Sequence, residues 1–387
     1  MKNIYMDNSA TTKVADEVVE EMNLYFSDRF GNASSLHDFG QEAFNSLEKA
    51  RKIIADRLNC EDSHEIIFTS GGTESDNLAI MGIAFANKDK GNHIITSKIE
   101  HPAVLNTCSQ LEKEFGFKIT YLDVDKEGLI DIEQLKKEIS DETILVTIIH
   151  GNNEIGTIQK IEEVAKICRE KDIYFHTDAV QSFTKVDIDV QKIKCDLLSL
   201  TAHKIHGPKG IGALYVKNGT KILPMLKGGR QERCLRPGTE NIAGINGFAK
   251  CVEISSDEHV IKMKELRDYF INEIREKIPE VNLNGPIEGR LCNNINFNFK
   301  YIEGEALLLK LNEEGIAVST GSACSSRSLK PSHVLMALGL RPQDCHGSIR
   351  FTISRYTSKE EIDFVVEKLV EIVKDLRKIS PLYKGGS

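Results

Sequence analysis

Apolar and polar positions along this chain fall into short blocks whose period switches repeatedly between that of a helix and that of a buried strand. From Val14 to Phe26 the spacing predicts a helix with Val18, Val19, Met22 and Phe26 on one face. Gln41 to Leu58 predicts a strong amphipathic helix with Phe44, Leu47, Ile54 and Leu58 inward. From Glu65 the blocks alternate. Strands are predicted at Ile66 to Phe68, His93 to Thr96, Lys118 to Tyr121, Thr143 to Ile149, Ile173 to Phe175, Asp196 to Leu200 and Ala213 to Val216. Helices are predicted between most of them, at Leu78 to Phe85, Ala103 to Phe115, Ile132 to Ile139 and Ile161 to Arg169. Such βα alternation implies an α/β fold with a mostly parallel central sheet flanked by helices.

After Asn241 the pattern changes. One helical stretch runs to about Ile254, and a longer charged one from His259 to Ile278. Beyond Val281, short strands (Asn294 to Phe299, Ile349 to Ile353) mix with helices (Ala306 to Leu311, His333 to Leu338, Lys359 to Leu376), which predicts a smaller α+β domain. The expected division is an arm over residues 1–13 that packs with the small domain, a large domain over 14–257 and a small domain over 258–387.

Composition narrows the function. The 387 residues suffice for two domains, and 40% apolar with 28% charged residues describes a soluble globular protein. A net charge of −8 argues against a nucleic-acid-binding surface. No apolar run is long enough to predict a membrane span, and the first residues lack a signal-peptide apolar region. Nine cysteines without a CxxC pair form neither a disulfide framework nor a zinc ribbon. A reducing cytoplasm is the expected compartment, and no resident metal site is expected.

The polar motifs fall after the strands, where ligand sites of such sheets lie. Lys204 sits in a turn between two buried strand runs, as either a solvated loop residue or a Schiff-base lysine. Asp178 ends a strand, with room for one further strand before Lys204. It is a helix cap or the counter-ion of a protonated ring nitrogen. Gly71-Gly72-Thr73 follows a strand and opens a helix, which suits a phosphate or a plain cap. Its glycine spacing is neither dinucleotide-binding nor a P-loop. His101 follows another strand and could stack on a flat ring, move protons or cap the next helix. Asn153 follows the strand ending at Ile149, in a plain polar turn or where its amide could bond a ring hydroxyl. The Gly228 to Asn241 stretch reads as an exposed loop in which Thr239 could donate to a phosphate. Cys324, flanked by small polar residues, is an exposed loop thiol, either incidental or reactive. Arg350, among apolar neighbours, wants a carboxylate from a substrate or from the chain itself.

Taken together, these stretches resemble the cysteine desulfurases of the NifS/IscS type, within the class V aminotransferases that use pyridoxal 5'-phosphate (PLP). The resemblance covers nearly the whole chain. It rests on Asp7 to Thr12, Gly71 to Asn77, Glu100-His101, Asn152 to Gly156, His176 to Gln181, the Lys204 stretch, Gly228 to Asn241, Gly321 to Ser326 and Ser348 to Phe351, all in family order. It implies fold type I of the PLP-dependent transferases. Lys204 would bind PLP, with His203 and Thr201 beside its phosphate together with Gly72, Thr73 and the partner subunit's Thr239. Asp178 would pair with the ring nitrogen, Gln181 with the ring hydroxyl, and His101 would stack on the ring. Asn153 would lie near the substrate and Arg350 would take its carboxylate. Cys324 would accept the sulfur of L-cysteine as a persulfide, leaving L-alanine. The resemblance further implies a homodimer and a persulfide acceptor that is an iron–sulfur scaffold protein or a sulfurtransferase, as in tRNA thiolation. With a scaffold partner, Cys324 would transiently ligate a cluster iron. A selenocysteine lyase, another class V aminotransferase, or a sulfur-assembly partner without catalysis are the competing readings. An intact Lys204, Asp178 and Cys324 weigh against the last.

Overall fold

The computed structural model describes residues 3–320 and 331–383. A short strand, β1 (Ile4–Tyr5), opens the chain. The main sheet follows, built from β2 (Ile66–Thr69), β3 (His93–Ser97), β4 (Lys118–Leu122), β5 (Thr143–Ile149), β6 (Tyr174–Asp178), β7 (Leu197–Thr201) and β8 (Gly212–Val216). Its order is β2-β8-β7-β6-β5-β3-β4. Only β8 runs against its neighbours; the remaining pairs are parallel. The expected mostly parallel sheet is thus realised. The exception arises because β7 and β8 are joined by the tight stretch that holds Lys204, too short for a parallel crossover.

β3, β5 and β7 are buried along their length, as parallel strands covered on both faces must be. On one face the helices Gly72–Ala86 and Pro102–Phe115 pack on Ile67, Ile94, Leu145 and Leu214. On the other, the helices Asp38–Leu58, Ile161–Glu170 and Ile242–Glu253 enclose Phe68, Val146, Phe175 and Leu200.

A second core surrounds β9 (Val281–Leu283), β10 (Asn294–Phe299), β11 (Ile316–Ala317), β12 (Ser319–Thr320) and β13 (Ser348–Thr352). Four of these strands form an antiparallel sheet in the order β12-β13-β10-β9. The long helices Asp257–Lys277 and Lys359–Ile379 bury Phe270, Ile274, Val365 and Leu369 against it. The arm joins this unit: β1 pairs in parallel with β11.

Three side chains depart from the sequence reading. Phe44, expected inward, is 43% exposed, and Val19 and Phe26, expected on a core-facing stripe, are 44% and 65% exposed. The helix Asp16–Ser27 buries only Val18 and Tyr25, because its main neighbour, the helix Ile242–Glu253, covers one narrow stripe of it.

Candidate active site

The carboxyl ends of β3, β5, β6 and β7 converge, and the polar motifs meet there. Asp178 is the last residue of β6. Lys204 closes the single turn of 3-10 helix that follows β7, the neighbouring strand. Asp178 is buried, and its Oδ1 accepts the Val180 N–H at 2.9 Å. Burial pushes its carboxyl up to about 6, while the nearby Lys204 charge pulls the other way. Gln181, three residues on, donates from Nε2 to Ser9 O at 3.0 Å and leaves Oε1 without a partner.

Lys204 is met by the N-terminal arm. Its Nζ donates to the carbonyls of Ser9 at 2.5 Å and Ala10 at 2.6 Å. The arm is pinned on the same turn, since Thr12 N and Oγ1 both donate to His203 O at 3.0 Å. His203 Nδ1 lies 3.2 Å from Thr11 Oγ1. Burial, then the Lys204 charge, draws the His203 ring down to about 3, so it is neutral at physiological pH.

Above the sheet end, His101 caps the helix Pro102–Phe115, accepting the Ala103 N–H at Nδ1 over 3.1 Å. The cap uses one ring nitrogen and leaves the other. Burial first, then Lys204 and His333, pull its pKa to about 4.

Gly71 and Gly72 open the helix Gly72–Ala86 without a side-chain cap. Gly71 has φ of 155°, which glycine alone adopts freely. A Cβ on Gly72 would stand 2.7 Å from Val180 Cγ2, so the helix start is pressed onto the Asp178 turn. Thr201 Oγ1 lies 4.0 Å from where a Gly71 Cβ would be, which groups Thr201 with this turn. Thr239 is exposed on its loop. That loop is anchored from below by a fork: Arg51 Nη1 and Nη2 reach Glu232 Oε2 and Oε1 at 2.8 and 2.7 Å.

From the second core, β13 brings Arg350, which is 1% exposed. Its Nη1 donates to Asn153 O at 2.9 Å and its Nη2 to Asp7 Oδ1 at 2.8 Å. Asn153 thus meets Arg350 through its carbonyl, and the arginine already has an intramolecular carboxylate. Cys324 lies outside the described residues.

Sequence reasoning missed a layer of buried acids beneath these groups. Asp76 faces His176 Nε2 at 3.8 Å, and burial, then the Asp178 charge, raises its carboxyl well above the ordinary range. Glu100 Oε1 accepts from Ser97 Oγ at 2.5 Å and Ile149 N at 3.0 Å, and burial pushes it up to about 8. Glu154 Oε2 accepts from Ser332 Oγ at 2.5 Å and is pushed up to about 7, again by burial. His333 Nε2 donates to Glu100 O at 2.9 Å. The signal was present, since Glu100 and Glu154 stand in strand-end motifs.

Comparison with known proteins decides what this arrangement belongs to. The family model described as aminotransferase class-V matches residues 4–365. The chain belongs to that family. A cysteine desulfurase IscS of Dictyoglomus turgidum is 53% identical over 383 residues, covering 98% of this chain and 97% of that relative. Among solved structures, a NifS-like protein superposes with a TM-score of 0.91 at 37% identity, over 97% of this chain and all of its own. SspA in complex with cysteine gives 0.82 at 40% identity, over 92% and all of its own. Within the class-V family the chain is of the NifS/IscS type, whose members depend on PLP.

The residues present fit that cofactor. A buried carboxylate with a single donor awaits a cation, an unpartnered amide oxygen awaits a hydroxyl, and an uncapped helix start awaits a phosphate.

Proposed function

We propose that this chain is a cysteine desulfurase that moves the sulfur of L-cysteine onto Cys324 as a persulfide and releases L-alanine. The observation that carries the reading is the meeting of Asp178 and Lys204 at neighbouring strand ends of a class-V fold, with Arg350 reaching in from β13. Identity of 53% to a cysteine desulfurase over nearly the full chain, and likeness to a protein solved with cysteine, support the substrate.

PLP, when bound, supplies an electron sink that makes the substrate α-proton acidic and the β-sulfur open to attack by a thiolate. The chain's residues do the rest. Lys204 binds the cofactor and then moves the α-proton, from a position the Ser9 and Ala10 carbonyls define. Asp178 holds a proton on the ring nitrogen by staying anionic. Gln181 bonds the ring hydroxyl with Oε1, and Gly72, Thr73, Thr201 and His203 cradle the phosphate. His101, neutral at physiological pH, covers the ring and offers an imidazole nitrogen for proton transfer. Arg350 grips the substrate carboxylate and Asn153 orients that arginine. Cys324 takes the sulfur.

The same proposal includes a homodimer in which Thr239 serves the partner's phosphate site. The exposed side chains Phe26, Phe30, Leu36 and Phe39, 54–92% exposed within one short stretch, support a covered face there. The acceptor is an iron–sulfur scaffold protein or a sulfurtransferase, in keeping with the IscS name of the relative. The compartment is the cytoplasm, supported by cysteines that are all unpaired among the described residues. The test is turnover of L-cysteine by the PLP-loaded protein with excess thiol reductant. Alanine and sulfide in equal amounts support the proposal; pyruvate and ammonia in their place overturn it.

A further inference from the structure

The N-terminal arm carries a carboxylate into the site that this reaction does not use. Asp7 Oδ1 accepts from Arg350 Nη2 at 2.8 Å, with the arginine side chain 2% and the aspartate side chain 20% exposed. The arm holds Asp7 in place from both sides. Asp7 bridges to Thr352, two residues beyond Arg350 on the same strand. Thr352 N donates to Met6 O at 2.8 Å, and Asn8 Nδ2 donates to Thr352 O at 2.6 Å. Ala10 N and the Tyr5 hydroxyl both donate to Asp7 O, at 3.0 and 3.1 Å. Met6 and Asn8, its neighbours, are buried.

Arginine has five N–H donors. Arg350 spends one on Asn153 O and one on Asp7, and its Nε is buried without a partner. The second N–H of Nη1 and of Nη2 is left for an incoming carboxylate, which need not expel Asp7. Two anions then share one guanidinium, and like charges at such range disfavour each other.

We propose that Asp7 is a resident counter-ion of Arg350 that weakens the site's hold on the carboxylate of its amino-acid substrate and product, and so sets KM. This rests on the reading of Arg350 as the carboxylate receptor. The physical sense is that uniform binding energy lowers KM without speeding the chemical step and slows product departure. A tempered arginine selects the carboxylate and lets alanine leave.

The experiment titrates L-alanine into PLP-loaded protein and follows the cofactor's visible absorbance at equilibrium. Asp7→Asn keeps an acceptor oxygen for Nη2 and removes the charge. It is expected to bind alanine at least about threefold more tightly than wild type, and to lower KM for cysteine by a similar factor with kcat within about twofold. Asp7→Ser, also uncharged and able to accept, must move the same way and stands in should the first variant not fold. Arg350→Ala serves as the control and must weaken alanine binding by more than about tenfold. Unchanged or weaker binding in the Asp7 variants, with the Arg350 effect present, overturns the proposal and leaves the arginine's role standing. Unchanged binding in Arg350→Ala removes that role and the proposal with it.

Discussion

Ser332 gives its hydroxyl proton to Glu154 Oε2 across 2.5 Å, while its oxygen caps the helix His333–Ala337 by accepting the Leu335 N–H at 3.2 Å. One hydroxyl thus ties that short helix to the turn after β5, beside the carbonyl that holds Arg350. Ser332→Ala removes the cap and leaves a buried carboxyl oxygen without its donor. The expected loss is about 2 kcal/mol of stability, measured by chemical denaturation. A loss well under 1 kcal/mol would mean that the carboxyl finds another donor.

Buried acids give the protein a pH dependence with a definite sign. Glu100 and Glu154 are raised to about 8 and about 7, first by burial. A carboxyl whose folded pKa lies above its unfolded one contributes stability while protonated, and loses it as pH rises through the folded value. The buried His101 and His176, pulled down to about 4 and about 3, act at the other end, costing stability below about pH 6.5, where an unfolded histidine takes a proton. His150, His203 and His206, likewise drawn down by burial, and Lys185, lowered to about 8, work against the acids as pH rises above that value. The stability of wild type relative to Glu100→Gln, read from denaturation midpoints, is therefore expected to fall by roughly 2 kcal/mol between pH 6.5 and 8.5. A difference between the two that stays flat or rises over this range contradicts the assignment.

Asp178 predicts how the cofactor is held. Its carboxyl, raised to about 6, is anionic at pH 7.5 and increasingly neutral at pH 5. Retention of PLP on dialysis should therefore weaken as pH drops from 7.5 to 5. Asp178→Asn should hold PLP about ten- to hundredfold more weakly at pH 7.5 and lose most of that pH dependence, since a charge-assisted bond is gone. Retention that is independent of pH in wild type would assign the ring nitrogen to another group.

The Arg51–Glu232 fork predicts a structural effect at a distance. Glu232 Oε2 also accepts the Phe68 N–H at 2.7 Å, so the pair ties β2 to the loop that carries Thr239. Arg51→Ala leaves a buried carboxylate unpaired and should cost about 3–5 kcal/mol in chemical denaturation. A cost near zero would show that the loop does not depend on the fork.

Much of this was legible in the residues. Strand and helix periods located the main sheet because its strands are built around short apolar runs and most lead into a polar motif; β5 and β10 have the predicted bounds. The direction of β8 was not legible, since an apolar run reads alike both ways. Phe44, Val19 and Phe26 were misassigned for a related reason: periodicity finds an apolar stripe but not what covers it. The site motifs could be located one by one, yet their partners lie far apart in sequence. Nothing local in Asp7 to Ala10 reveals that Asp7 meets Arg350 while the Ser9 and Ala10 carbonyls meet Lys204.

The destination of the sulfur decides whether Cys324 is the nucleophile. The direct measurement is a single turnover: PLP-loaded protein, one equivalent of L-cysteine, no reductant, then mass analysis of the peptide that contains Cys324 alongside an alanine assay. The expected result is one alanine formed and the mass of one sulfur gained on that peptide, lost again on adding thiol, with Cys324→Ser binding cysteine but gaining no sulfur. Alanine formed with no sulfur on that peptide, or sulfur transfer undiminished in Cys324→Ser, would contradict it.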